Sequence, residues 1–445
     1  MSEEAHSDNS DDRPFARLDW TGRRKISPTP AALSPRSVVG EKRDPDSAGS
    51  RGNRLVLGDN LGVMAALLEE FEGRIELIYA DPPFLTGKAY AARVGRNEDS
   101  RQPSEWQTIE GYQDTWSDGS EYLNMLLPRL RLMHRLLSPS GSIYLHLDWH
   151  ASAYARILLD EIFGPGRLVN EIVWTYHGPS PIRSAFNRKH DTILWYSKTK
   201  DYTFNVDEVR VPYHPNTVKA FQSSDKAGFG KKPKLARGKV PEDWWYFPVV
   251  ARLHSERTGY PTQKPEALLE RILLASSQPE DWVADFFCGS GTTAAVAARL
   301  GRRWIACDRT PLAVHTSYRR MLLLDPPPAF TLLEDRQWSQ MGAITPTLEI
   351  AQHGLAVKLR LKGMNGATAS PGPFPENVVL WEVDWDYRGD VFYSQDRCTR
   401  GWREATITLE KRHRYARPGN HRLAVRAVDA SGRQGLTVRE IQLSP

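Results

Sequence analysis

Residues Trp282 to Asp308 constrain the fold more than any other stretch. Trp282-Val283-Ala284-Asp285-Phe286-Phe287 is a short apolar run, Cys288-Gly289-Ser290-Gly291 is a glycine turn, and Thr292-Thr293-Ala294-Ala295-Val296-Ala297-Ala298-Arg299-Leu300 is rich in strong helix formers. A second strand, Arg303-Trp304-Ile305-Ala306-Cys307, follows and ends in Asp308. Strand, glycine turn, helix and strand in that order make the repeating unit of an open α/β sheet.

The turn also says what such a unit can hold. Gly289 and Gly291 remove side chains where a ligand would approach the backbone, and the helix start offers free N–H groups. An acid at the end of the second strand, here Asp308, is placed to bind ribose hydroxyls. The spacing is neither the dinucleotide fingerprint nor a phosphate loop, since no Gly-Lys-Ser/Thr follows. A nucleoside without phosphates fits better, and S-adenosylmethionine is such a ligand. Asp285, Phe287, Cys288, Gly289, Ser290, Gly291, Thr292 and Asp308 are its candidate contacts. The plain alternative is a tight strand-to-helix turn with no ligand.

Ile75-Glu76-Leu77-Ile78-Tyr79-Ala80 reads as another buried strand, and Asp81-Pro82-Pro83-Phe84 ends it. Two prolines neither extend a strand nor enter a helix interior, so the chain leaves the sheet in a stiff turn. A carboxylate, a proline-fixed carbonyl and an aromatic ring then stand at one strand end. Asp81 and the Pro82 carbonyl can accept the two hydrogens of an exocyclic amine, with Phe84 stacked on the base ring. The bland alternative is a rigid strand exit with Phe84 in the core.

With these motifs the chain resembles an amino-group DNA methyltransferase of the permuted (beta) class, in which the catalytic motif precedes the cofactor motif. Three further stretches match in order: Arg54-Leu55-Val56-Leu57-Gly58-Asp59-Asn60, Gly141-Ser142-Ile143-Tyr144-Leu145-His146-Leu147-Asp148, and Thr258-Gly259-Tyr260-Pro261-Thr262-Gln263-Lys264-Pro265-Glu266. The resemblance covers about residues 54 to 323. It implies a Rossmann-like methyltransferase fold with a target-recognition insert. It puts Asp59 near the cofactor's adenine, Thr262, Gln263, Lys264 and Pro265 near its methionine end, and Asp81, Pro82, Pro83 and Phe84 at the reaction. It further implies site-specific methylation of adenine N6 in duplex DNA, since Asp stands first in the catalytic motif. Cytosine N4 is the alternative base. Cytosine C5 chemistry needs a thiolate nucleophile after a proline, and this motif has none.

The remaining stretches set boundaries. Residues 1 to about 50 are rich in Ser, Asp, Arg and Pro and read as a disordered tail. The catalytic domain is expected over 51–330, alternating strand and helix to about residue 165. The helices fall at Tyr122 to Leu137 and Ala151 to Phe163. Between His177 and Arg257, 15 Lys and Arg oppose 8 Asp and Glu, although the whole chain carries only +5. Within this basic interval, about 166–257, Arg183, Arg188, Lys189, Lys226, Lys231, Lys232, Lys234, Arg237 and Lys239 are candidate DNA contacts. A solvated linker is the plainer reading of the run from Lys226 to Lys239. Val378 to Val383, Ala405 to Leu409, His421 to Val428 and Leu436 to Leu443 alternate as strands of a small sandwich-like domain at 345–445. That strand pattern weakly resembles an immunoglobulin or polycystic-kidney-disease repeat.

Three widely spaced cysteines form no metal or disulfide framework, and Cys288 and Cys307 read as small packing residues. No run reaches the roughly 18 apolar residues of a membrane span, and no metal site is expected. A cytoplasmic chain acting on duplex DNA is expected, with a homodimer or a restriction or defence complex as open assemblies. A silent cofactor-binding subunit, a site-specifying modification subunit, and a methyltransferase for RNA or protein are the competing readings.

Overall fold

The computed structural model describes residues 16–41, 52–94, 107–179, 182–223, 234–251, 254–338, 344–366, 373–402, 404 and 406–445. The first half runs β1 (Leu33–Val39), β2 (Asn53–Leu57), α1 (Asn60–Phe71), β3 (Ile75–Ala80), β4 (Lys88–Val94), β5 (Gln107–Asp114), α2 (Gly119–Leu136), β6 (Leu137–Leu147) and α3 (Ser152–Phe163). Next come β7 (Leu168–Thr175), β8 (His190–Ser197), α4 (Pro215–Ser223), β9 (Trp244–Tyr246), α5 (Glu266–Ser276), β10 (Trp282–Asp285), α6 (Thr292–Arg299), β11 (Arg303–Asp308), α7 (Pro311–Leu322) and β12 (Phe330–Asp335). The remaining strands are β13 (Ile344–His353), β14 (Ala356–Gly366), β15 (Val378–Asp384), β16 (Phe392–Ser394), β17 (Asp396–Thr399), β18 (Glu410–Arg414), β19 (Gly419–Asp429) and β20 (Gln434–Leu443).

One sheet of eleven strands organises the molecule, in the order β16-β1-β12-β2-β11-β10-β3-β6-β8-β7-β9. Its centre is parallel, and its inner strands are apolar because helices cover both faces. The pleat sorts their side chains. Leu77, Tyr79 and Tyr144 join the cluster formed with α5, α6 and α7, while Ile78, Ala80, Ile143 and Leu145 join that of α1, α2 and α3. Burying each such Leu or Ile contributes about 1.5–3 kcal/mol. Among the described residues no helix is long and apolar enough to cross a membrane.

The expected α/β architecture with an added β-rich region is therefore the observed one. Three local expectations are corrected. The segment read as a tail is partly ordered: β1 pairs with β12, and Leu18, Trp20, Ala31 and Leu33 pack on the core. Few apolar residues are enough there, because Arg23 pairs with Glu161 and lies over Trp20, and Arg24 N–H reaches Asn124 at 2.9 Å. The alternation of strand and helix is interrupted by an antiparallel hairpin, β4–β5, inserted right after the Asp-Pro-Pro-Phe turn. The strand expected at 405–409 falls at β18 instead. Residue 405 lies outside the described residues, and the carbonyls of Thr408 and Leu409 accept from Trp381 Nε1 and Leu361 N.

The C-terminal strands beyond residue 344 have a core of their own and also pack against the large sheet. Sheets β13-β14-β18 and β17-β15-β19-β20 enclose a core that includes Leu359, Trp381, Val383, Leu423 and Val425. Val379, Leu380 and Val428 also pack into the core of the eleven-stranded sheet, and β16 adds to that sheet beside β1. Thus β15 is buried along its whole length. At the junction Arg426 pairs with Glu382, which also accepts from Tyr318 Oη at 2.9 Å and Ser394 Oγ at 2.7 Å.

Candidate active site

Strands β3 and β10 lie side by side, with Tyr79 level with Asp285. From β3 the chain continues to β6 on one side, and from β10 to β11 on the other. Their shared C-terminal end is thus the point where strand order reverses, which is where open α/β sheets bind ligands. A cavity of about 590 Å³ opens there. It is lined by Asp81, Pro82, Pro83 and Phe84 from one strand end and by Asp285, Phe287, Cys288, Gly289, Ser290 and Thr292 from the other. Two motifs some 200 residues apart in the sequence, as Asp81 and Asp285 are numbered, meet here.

Asp81 is held in a single orientation. Its Oδ2 pairs with the Lys264 ammonium, while its Oδ1 is buried and takes no hydrogen bond. Lys264 Nζ also lies 5.2 Å from the centre of the Phe84 ring. A buried acceptor without a donor costs free energy, which an N–H brought within reach of this atom would recover. Lys264, which the resemblance puts at the cofactor's methionine end, lines the cavity with its ammonium on the Asp81 carboxylate.

The turn after Pro83 hangs on Asp114, which the sequence reading passed over. Its carboxylate accepts from Phe84 N at 3.1 Å, Leu85 N at 3.0 Å, Thr86 N at 2.9 Å, Thr86 Oγ1 at 2.7 Å and Trp116 Nε1 at 2.8 Å. Leu85 takes a left-handed φ of 66°, unfavourable for a leucine, and these bonds hold it. Asp114 ends β5, and the β4–β5 hairpin brings Tyr90, Arg93, Tyr112 and Gln113 to the cavity wall.

On the cofactor side, Asp285 is buried and accepts from Thr293 Oγ1 at 2.6 Å and Phe287 N at 3.0 Å. Burial pushes its carboxyl up to about 7, against the pull of these two donors. Asp308 Oδ2 accepts from Gly289 N at 3.0 Å, and its Oδ1 accepts from Thr310 N at 2.9 Å. Desolvation raises its carboxyl above the ordinary range. Asp308 lines the cavity and also pins the glycine turn.

Gly291 does not line the cavity. A Cβ there would point at Ser317 of α7, 2.6 Å from its Oγ, so this glycine serves helix packing and not ligand approach. A Cβ on Gly289 would meet the Tyr260 ring at 3.1 Å. Pro265 likewise stays outside the lining, at the N-cap of α5, whereas Thr262, Gln263 and Lys264 line it. Asp59 caps α1 through Leu61 N at 3.3 Å and pairs with Arg129 at 2.6 Å. Arg129 lines the cavity too, and nothing in the sequence singled it out from other helix arginines. Cys288 and Cys307 are buried, and burial pushes both thiols up, as suits packing residues.

Beyond Asp81 the cavity is aromatic. Phe84 lies 5.8 Å from His146, His146 5.3 Å from Trp174, and Trp174 5.0 Å from Tyr176, centre to centre. Behind these rings Tyr79 Oη meets His146 Nδ1 at 2.7 Å, and Asp191 meets His146 Nε2 at 3.3 Å while accepting from Tyr176 Oη at 3.1 Å.

The basic candidates divide. Lys226, Lys231 and Lys232 lie outside the described residues. Arg237 is engaged with Asp207 at 2.7 Å, and Lys239 pairs with Glu242. Lys234 is exposed. Arg183, Arg188 and Lys189 sit in the β7–β8 loop, and Tyr176 at its start and Asp191 just inside β8 line the cavity. There Arg188 stacks 4.3 Å above the Trp149 ring, and Lys189 Nζ reaches Pro179 O at 3.0 Å.

The family model described as DNA methylase matches residues 75–319, more than half of the chain. The type II methyltransferase M.BglII of Bacillus subtilis is 31% identical over 60% of this chain and 68% of its own length. The DNA adenine methyltransferase YhdJ of Escherichia coli K12 is 29% identical over 62% of this chain and 85% of its own. The crystal structure of the M1.HpyAVI–SAM complex aligns at 19% identity and a TM-score of 0.39, covering 61% of this chain and 99% of that one. Strands β3 and β10 lie within the matched span, as do all residues lining the cavity between them except Asp59 and Asn60, and this chain belongs to the DNA methylase family.

Proposed function

We propose that the chain transfers a methyl group from S-adenosylmethionine to the N6 amine of an adenine flipped out of duplex DNA. The observation that carries this reading is Asp81, which lines the cavity with one oxygen held by Lys264 and the other buried without a hydrogen bond. The donor set suits the cofactor, because Asp81, Asp285 and Asp308 place three carboxylates around a site for a ligand with sulfonium and ammonium charges. The cavity volume also falls in the range of cofactor sites.

When bound, S-adenosylmethionine supplies an electrophilic methyl group. The protein's own part is placement. The N6 lone pair of adenine is delocalised into the ring, and hydrogen bonds from the amine to Asp81 Oδ1 and the Pro82 carbonyl favour a pyramidal nitrogen. Phe84 stacks on the base, and Asp114 fixes Phe84. Holding both substrates in line supplies much of the acceleration without a covalent enzyme intermediate. The amine becomes acidic only as the methyl arrives, so Asp81 orients first and receives the proton late. Such geometry is unreachable inside a duplex, hence the flipped base. The name of YhdJ, a DNA adenine methyltransferase, favours adenine over cytosine. The reading puts the chain in the cytoplasm, with its DNA. Copurification from expressing cells reads out a nuclease partner or a homodimer.

Long-read methylation calling on DNA from cells expressing wild type or Asp81→Ala tests the reading. An N6-methyladenine motif present only with wild type is the expected result. N4-methylcytosine would replace the base and keep the mechanism, and no mark with wild type would reject the assignment.

A further inference from the structure

Phe186 is 98% exposed. Every other exposed large apolar side chain among the described residues lies between 37% and 60%, so each still rests on a neighbour. Single exposed apolar residues are ordinary, but one with almost no protein contact gains nothing from the fold. Its position supplies a use. The β7–β8 loop leaves the sheet after Thr175 and rejoins it at His190, and the adjoining residues Tyr176 and Asp191 line the cavity. The loop is closed at its base, where Tyr176 N donates to Lys189 O at 3.1 Å. Phe186 lies five positions before Asp191, an extended reach of at most about 18 Å. Arg183, Arg188 and Lys189 surround it in sequence with no acid between Arg183 and His190.

We propose that Phe186 is a wedge that enters the duplex and stacks in the gap left by the flipped base. The proposal rests on the methyltransferase reading above and deepens it. A base leaving the helix exposes the π-faces of its two neighbours, and an apolar ring inserted between base steps covers them. The cations around Phe186 bring the ring to the phosphates. The stems of its loop hold it beside the cavity that receives the base. No hydrogen bond to a base edge is needed, so the wedge acts on any recognition sequence.

The test compares wild type, Phe186→Ala and Phe186→Trp on two duplexes carrying the mapped site. In one the target adenine is paired; in the other it faces an abasic position and is already free to leave. Phe186→Ala is expected to lose about tenfold or more in kcat/KM on the paired duplex, and to come within about threefold of wild type on the abasic one. Phe186→Trp retains activity on both. With 2-aminopurine at the target position, wild type raises the fluorescence of the paired duplex and Phe186→Ala does not. Since Phe186 touches almost nothing, loss of folding does not confuse the result. Equal activity of Phe186→Ala and wild type on the paired duplex overturns the wedge, as does an equal loss on both duplexes. Wild type inactive on both overturns the methyltransferase reading, and the wedge falls with it.

Discussion

Phe84 donates its backbone N–H to the Asp114 carboxylate at 3.1 Å, joining the ring that meets the base to the hairpin that walls the cavity. Asp114 thereby holds the turn that carries Phe84. Asp114→Asn keeps one acceptor oxygen and turns an amide toward donors. It is expected to lower stability by about 2 kcal/mol. It should cut kcat/KM for DNA by more than tenfold, while Asp114→Glu recovers part of it. Denaturant melts and steady-state kinetics check this; an unchanged kcat/KM in a destabilised variant leaves Asp114 only a structural role.

Lys264→Met strands the Asp81 carboxylate with neither oxygen paired. Breaking a mostly buried pair costs on the order of 3 kcal/mol, and the freed carboxylate no longer presents Oδ1 in one direction. Expected is a fall in kcat of about tenfold or more with no weakening of cofactor affinity, since the cofactor is itself cationic. Calorimetry showing cofactor loss as large as the fall in kcat returns Lys264 to a cofactor contact.

The Asp285 carboxyl, held up at about 7 by burial, makes cofactor binding pH-dependent. A cationic ligand favours its ionised form, so binding releases a proton. Affinity should rise as pH climbs from 6 through 7 and level off above 8. In the ligand-free protein the sign is opposite for folding. The folded state binds more protons than the unfolded state between the ordinary carboxylate range and about 7, so this group's contribution to stability falls as pH rises through that window. Calorimetry at pH 7 in buffers of different ionisation heat measures the proton, and identical heats would falsify its release.

Arg426→Met leaves Glu382 buried and charged at the junction of the two cores. A loss of about 3–5 kcal/mol is expected, with the C-terminal strands and the methyltransferase sheet melting together. Two separate transitions, with the cofactor-binding one unmoved, would instead mark the C-terminal strands as an independent domain.

The sequence alone carried the α/β fold, because apolar runs, two prolines and a glycine turn leave few backbone solutions. It marked Asp81 to Phe84 and Asp285 to Asp308 as a strand-end turn and a strand–turn–helix–strand unit for the same reason: each is contiguous, and its chemistry is local. It did not show that Lys264 reaches Asp81, 183 positions away, or that Asp114 holds Phe84. An isolated Lys or Asp has no periodicity to betray its partner. Nor did it reveal that β1 and β16 extend one sheet, since strand pairing depends on which edges the rest of the chain leaves open. Composition marked residues 33–39 as tail because their burial comes from strands placed beside them by tertiary structure. Local chemistry was legible in the order of residues; distant pairing was decided only when the packed core put those residues within hydrogen-bond reach.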